Sequence, residues 1–393
     1  TLLSHGAQVT IVDKTPFEGQ LDPVAWRHYG LLFEEARRFR DLFRGEPVWD
    51  VGLYFSSRTR DWWAREDKDR YFTSFYGAHK AMVYDHLTWG VVLDETLDLE
   101  NLRKFPVLVL SDVAVLSDQE KEILTSYARE GGSLVVTGVT GCYDRYGNRR
   151  ERRALEELIG AEVKEVINAR DNYFQLDATL GETGITLRGI EPDWPHLAYG
   201  PAVAYVPRDA QAFGSLRKGI RTTRMLAGLE STDFPYPAGE SAGPAVLVRS
   251  LGKGRVITLA VSPGYASGSE YRAPEPRLLL AAVVRAARGK FPVEVAAPSC
   301  VESCVVRMAP DRFRVHMVGY AAPPAGTDPR RPWILPEMMT DPPRFRARIT
   351  TDRPVQSFSA SRPGTRVEQT AEGLQVEAED VFESVEITLK ATP

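Results

Sequence analysis

Two adjacent tryptophans, Trp62 and Trp63, sit in a charged stretch, SSRTRDWWAREDKDR, close to Arg58 and Arg60. Indole rings stack on sugar faces and also anchor protein interfaces, where Trp and Arg are enriched. In such a loop two large rings have no evident core to enter. A protein interface through Arg58, Arg60, Trp62 and Trp63 is the first reading, and contact with a sugar is the second. The other chemically able residues point to less. Cys300 and Cys304 would lie about 13 Å apart along one face of a strand, which suits burial better than a redox or metal pair. His316, in the alternating run RFRVHMVGY, reads as a packed or edge histidine. Gly252-Lys253-Gly254 lacks the glycine spacing and the following helix of a phosphate loop and reads as a tight hairpin turn. No metal and no cofactor is expected.

The composition sets the frame. The chain has 393 residues, 43% hydrophobic and 26% charged, ordinary values for a globular protein of two or three domains. A net charge of -4 gives no reason to expect nucleic acid or an anionic membrane as partner. No apolar run approaches the ~18 residues of a membrane-spanning helix. Three cysteines, with only Cys300 and Cys304 close together, make neither a disulfide framework nor a paired-cysteine zinc motif. The chain opens on Thr1 without a signal peptide and reads as a piece of something longer.

The elements follow from periodicity. Val107–Leu110 is a short apolar run of the kind covered on both faces of a parallel sheet. Ser117 stands three before Glu120, the spacing of a capping box, and Ile123, Leu124, Tyr127 and Ala128 give the helix one apolar face. Gly131 and Gly132 stop it, and Leu134–Val136 is the next strand. This is a βαβ unit. Around it, Val51–Phe55 and Val91–Leu93 read as strands. Tyr71, Phe72, Phe75, Tyr76, His79, Met82 and Val83 read as one helical face. A helix is expected over Arg152–Ile159, an insertion over about 160–245, and a hairpin from Ala245–Arg249 and Arg255–Ala260. The last helix is expected over Pro276–Arg288. The pattern predicts a doubly wound α/β sheet over 46–290. From Phe291 to the end, short alternating runs between Pro- and Gly-rich turns predict an all-β sandwich of roughly one hundred residues. Before residue 46, Gln8–Val12 reads as a strand ending at Asp13. Trp26, Tyr29, Leu32, Phe33, Ala36, Phe39 and Phe43 then share a helical face. A lone strand needs a sheet, so residues 1–45 either join the next domain or end a barrel.

The ordered pattern VGLYFSSRTRDWW, then VVLDETLDLENLRKFPVLVLSDVAVLSDQEKEILTSYAREGGSLVVTGVTG, resembles the trimerisation domain of family 42 β-galactosidases and related glycoside hydrolases. The resemblance runs from Val48 to about Gly289 and is weakest across the insertion. It implies a flavodoxin-like, class I glutamine amidotransferase-like fold and assembly as a homotrimer. The sandwich is similar to the small C-terminal domain of the same enzymes. The segment HGAQVTIVDKTPFEGQLDP resembles the last strand and helix of their catalytic (β/α)8 barrel, through which the parent protein would bind carbohydrate.

Two consequences concern chemistry. An amidotransferase needs a Cys at the strand-to-helix elbow with a His and a carboxylate downstream. Here the elbow reads Thr137-Gly138-Val139-Thr140-Gly141, Cys142 comes too late, and Ser262-Pro263-Gly264-Tyr265 contains no His, so active amidotransfer is not expected. The second consequence is that Asp13 would stand at the carboxyl end of a barrel strand, where such enzymes place substrate-binding groups, with Glu18 in the loop beyond. Retaining glycosidases need two carboxylates about 5 Å apart. Nothing marks Asp13 and Glu18 as that pair, and the resemblance implies catalytic glutamates on earlier strands outside this chain. Asp13 as a simple turn or helix cap is the plainer reading. A non-catalytic oligomerisation or carbohydrate-binding module is the alternative for the whole chain.

Overall fold

The computed structural model describes residues 3–12, 19–221, 223–227, 235–269, 271, 273–320 and 344–391. They divide into two compact units, Trp49–Lys290 on one hand and Thr1–Val48 with Phe291–Pro393 on the other.

The Trp49–Lys290 unit is organised by a seven-stranded sheet. Its strands are β1 (Val51–Phe55), β2 (Trp89–Leu93), β3 (Val107–Ser111), β4 (Ser133–Thr137), β5 (Gln211–Phe213), β6 (Val246–Leu251) and β7 (Gly254–Leu259), in the spatial order β5-β6-β7-β4-β3-β1-β2. The five from β7 to β2 run parallel, and β6 and β5 add an antiparallel margin. Every residue of β3 and β4 is buried, which explains their unbroken apolar composition. The helix between them (Asp118–Glu130) carries the capping box at its start: Ser117 Oγ accepts from the Glu120 N–H, and a Glu120 oxygen accepts from the Ser117 N–H at 2.6 Å. Gly131, at φ +124°, ends it in a conformation that suits glycine.

Besides that helix, α1 (Asp69–Tyr84), α2 (Pro263–Gly268) and α3 (Pro274–Arg288) flank the sheet in this unit. α1 buries only part of its expected apolar face: Tyr71 and Met82 are buried, while Phe72, Phe75, His79 and Val83 are half-buried. Its buried residues are Tyr71, Ser74, Gly77, Ala78, Ala81 and Met82, whereas Tyr76 is 58% exposed. The reason is close approach. A Cβ on Gly77 would lie 1.8 Å from the Gly264 carbonyl oxygen, so only small side chains fit between α1 and α2, and Phe72, Phe75 and Tyr76 stay half-buried or exposed.

The helix expected over Arg152–Ile159 is a single turn, Glu156–Ile159. Arg153 is drawn inward instead, buried, with its guanidinium donating to the carbonyl oxygens of Thr140 and Gly138 and to the Tyr205 hydroxyl. The insertion forms two small sheets. In one, Ala161–Ile167 pairs with Ala202–Pro207. In the other, Asp171–Gln175 lies between His196–Tyr199 and Ser215–Ile220.

The other unit is built on two sheets. One orders Glu46–Pro47, Val301–Ala309, Arg312–Gly319, Phe382–Leu389 and Val355–Ala360; the other orders Val293–Ala296, Phe345–Thr351, Gly373–Ala378 and Arg366–Thr370. Alternate residues of both, among them Val305, Phe313, Val315, Ile349, Val376 and Ile387, share one apolar core. The leading segment belongs here. Glu46–Pro47 pairs with Val306 and Arg307, and the Val48 N–H donates to the Val305 carbonyl at 2.9 Å. The boundary therefore falls after Val48 and not at Gly45. Phe39 and Phe43 pack on Phe382. Residues 8–12 pair with no strand among the described residues, and Val12 is exposed, which differs from the strand expected there. Helix Pro23–Arg38 is capped by Asp22, whose carboxylate accepts from the Val24 N–H at 2.8 Å, but it buries none of its side chains.

Candidate assembly surface

β1 delivers the chain to a single π turn, Thr59–Trp63. Asp94, beyond β2, holds the start of that turn by accepting from the N–H groups of Ser57 at 3.0 Å and Arg58 at 3.3 Å. The Tyr54 hydroxyl, fully buried, lies 2.7 Å from Asp94 and 2.9 Å from Glu120. A phenol has one proton to donate, so the two carboxylates share it. Burial, and then the charges of both carboxylates, push the Tyr54 hydroxyl up; burial and the nearby Glu120 push Asp94 up. In open α/β sheets ligands bind where the strand order reverses. Here β1 and β3 mark that place, and Asp94 already takes the amides that an anionic ligand would seek. None of Tyr54, Asp94 or Glu120 stood out in the sequence beyond the capping role of Glu120, because they lie far apart in the chain.

The four interface candidates prove unequal. Arg58 donates to Glu120 at 2.6 Å, and Arg60 holds Asp61 through two nitrogens, each at 2.7 Å. Both cations are thus engaged within the chain. Trp63 is half-buried beneath the Arg70 guanidinium, 3.9 Å from its ring centre, with Tyr143 alongside. Its indole N–H is buried without an acceptor among the described residues. Trp62 is 46% exposed and stands edge-on to Tyr146, itself 53% exposed. A Cβ on Gly147 would come within 3.0 Å of the Trp62 backbone, so the loops after β1 and β4 press together beneath these two rings. Asp13 and Glu18 lie outside the described residues.

The elbow region is a structural knot. Asp112, at the end of β3 with φ +50°, is buried and accepts from Ser74 Oγ at 2.6 Å, Ser262 Oγ at 2.7 Å and the Val139 N–H at 3.1 Å. Its carboxylate thereby ties α1 to the loops after β3, β4 and β7. Cys142 is buried, and burial pushes its thiol up, away from the thiolate that nucleophilic chemistry uses. His196 bonds the Glu191 carbonyl at 2.8 Å. In the other unit, Cys300 is exposed while Cys304 is buried and donates to the Ser4 carbonyl at 2.6 Å. No group of three or more metal-ligating side chains occurs among the described residues, and no described helix is long and apolar enough to cross a membrane.

Residues 50–188 match the family described as the β-galactosidase trimerisation domain. No curated protein matches the chain. Among solved structures, an α-L-fucosidase isoenzyme from Paenibacillus thiaminolyticus is 16% identical with a TM-score of 0.75, the alignment covering 99% of this chain and 56% of that one. A family 42 β-galactosidase from G. stearothermophilus is 14% identical with a TM-score of 0.60, covering 95% and 45%. The β-galactosidase from Bacillus circulans sp. alkalophilus is 12% identical at 0.60, covering 94% and 46%. The chain spans about half the length of these structures. By fold, and by the family signature over residues 50–188, this chain is similar to the C-terminal part of family 42-like glycoside hydrolases.

Proposed function

We propose that this chain is the assembly portion of a glycoside hydrolase, with the Trp49–Lys290 unit driving self-association as a homotrimer. The observation that carries the reading is the exposed Trp62–Tyr146 pair within the segment that matches a trimerisation domain. Exposed apolar groups set among charges commonly mark interfaces. Trp62 is the anchor in this reading; Trp63, Arg58 and Arg60 hold the turn that presents it. The domain is of the flavodoxin-like, class I amidotransferase-like type. In support, its parallel strands taken in chain order lie as 2-1-3-4-5, the order of that fold.

The parent protein hydrolyses glycosidic bonds in a barrel of which residues 1–45 are the end, and carbohydrate is bound there. Half of each matched structure lies outside the alignment, which leaves room for such a barrel. The exposed apolar residues of helix Pro23–Arg38, Trp26, Leu31, Leu32 and Phe33, suit a surface that a missing neighbour covers. Sedimentation velocity over a concentration series tests the assembly role. A species of three chains is expected, and a monomer at every concentration would overturn it. Hydrolysis of an aryl galactoside by this chain alone would overturn the placement of catalysis elsewhere.

A further inference from the structure

A closed three-fold ring uses heterologous contacts, so each copy must offer two different patches. The Trp62 knob is one. We infer that the other is the outer edge of the sheet, β2 with the aromatic side of α1, and that the knob of one copy docks on this edge of the next. The inference rests on the assembly role proposed above.

Among the described residues β2 is the terminal strand of its sheet and pairs with β1 alone. Strands of parallel sheets are ordinarily covered on both faces, yet Val91 and Leu93 are 44% and 41% exposed, alternating with buried Gly90 and Val92. An uncovered apolar edge strand invites association. The surface continues beyond the strand. Leu93 pairs with Phe55, which packs against Phe72 and Phe75. Phe72 stacks on exposed Tyr76, and His79 meets Trp89 at 4.3 Å. The half-buried and exposed rings of α1 thus lie beside the exposed strand residues.

Charge favours a second copy as the occupant. Beyond Leu93 the edge carries exposed Glu95, Asp98 and Glu100. The Tyr146 side of the knob carries exposed Arg145, with its guanidinium 4.6 Å from the Tyr146 ring centre, and exposed Arg149. The Trp62 side is mixed, with Arg65, Glu66, Asp67 and Lys68. Both patches thus have an apolar centre, and the arginines on the Tyr146 side of the knob complement the carboxylates at the end of the edge. Knob and edge come from different elements, the loops after β1 and β4 against β2 and α1, so one copy can present both at once.

Two full-length variants test this: Trp62→Ala/Tyr146→Ala, which removes the knob, and Val91→Lys/Leu93→Lys, which removes the edge. Each alone is expected to raise the apparent dissociation constant more than about tenfold, as central interface residues do. Mixed in equal amounts, they retain one intact junction, so sedimentation should show a one-to-one dimer and no trimer. That mixed dimer also demonstrates that both variants fold. If the wild type stays monomeric, the assembly role itself fails. If the wild type trimerises and the edge variant does so equally well, the assembly role stands and this inference falls. Absence of the mixed dimer overturns it too, unless circular dichroism shows a variant unfolded. In that event charge reversal decides: Glu95→Arg/Glu100→Arg must weaken the trimer, and Arg145→Glu/Arg149→Glu must restore it in the combined variant, or the inference is wrong.

Discussion

The ring of Trp62 meets the ring of Tyr146 edge to face, with centroids 6.2 Å apart. Its sequence neighbour Trp63 lies instead under Arg70. The two tryptophans are therefore expected to fail differently. Trp62→Ala should leave unfolding by urea nearly unchanged and weaken self-association more than about tenfold. Trp63→Ala should lower stability by ~1–3 kcal/mol, because it empties a half-filled aromatic site. Equal losses of association in both single variants, with no loss of stability in either, would remove this distinction. If Trp62→Ala instead leaves the trimer intact, contact with a sugar becomes the better account of that ring.

Arg58 and Glu120 make a similar contrast. Nearly half of the Arg58 side chain is exposed, at 45%, so Arg58→Ala should cost less than ~1 kcal/mol. Glu120 is 6% exposed and accepts from the Ser117 N–H, the Tyr54 hydroxyl and Arg58. Glu120→Ala takes the acceptor from the Ser117 N–H, leaves the Tyr54 hydroxyl to Asp94 alone and should cost ~1–3 kcal/mol. Urea unfolding of the two variants ranks them, and a larger loss for Arg58→Ala would contradict the geometry.

Gly77 and Gly30 both lie inside helices. A Cβ at Gly77 would meet the Gly264 carbonyl oxygen at 1.8 Å, whereas at Gly30 nothing stands within 4 Å. Gly77→Ala should force α1 off α2 and destabilise by more than ~2 kcal/mol. Gly30→Ala should stabilise its helix by roughly 0.5–1 kcal/mol. Thermal unfolding that shifts both variants in the same direction would count against this packing.

His316 supplies a pH dependence. It is 1% exposed, lies opposite Cys304 and Ser384 on neighbouring strands, and meets Phe43 at 5.3 Å. Neither ring nitrogen has a partner among the described residues. The Arg314–Glu386 ion pair and the His5–Glu302 pair belong to the same unit. Burial, followed by the charges of Arg314 and His5, pushes the imidazole down from 6.5 to about 3. The folded protein therefore keeps His316 neutral while the unfolded chain binds a proton as pH falls below about 6.5. Between that pH and about 3 the unfolded state holds the extra proton, and stability declines as acid is added. His316→Phe should flatten the decline. Identical slopes of unfolding midpoint against pH for variant and wild type would exclude His316 as its source.

How much could be read in advance differs from element to element, for a common physical reason. The Ser117–Glu120 box, the stop at Gly131, the buried runs of β3 and β4, and the alternating strands after Phe291 were all legible, because each depends on residues a few positions apart. Gln8–Val12 had the apolar character of a strand, but a strand exists only where a neighbour offers its hydrogen bonds, and none of the described residues does. α1 kept Tyr71 and Met82 of its expected face buried, but the close approach of Gly77 to Gly264 put small residues at the centre and left Tyr76 in water. Trp62 and Trp63 looked alike until Arg70, Tyr143 and Tyr146 gathered around them. The sharing of the Tyr54 proton between Asp94 and Glu120, and the edge position of β2, depend on strand order. By itself the sequence determined the locally encoded elements, the capped helix from Ser117 to Gly131 and the buried runs on either side of it, since those free energies are local. Which strands become neighbours, which face is covered and which rings stay in water were decided by tertiary packing, because those energies arise between residues that the chain holds far apart.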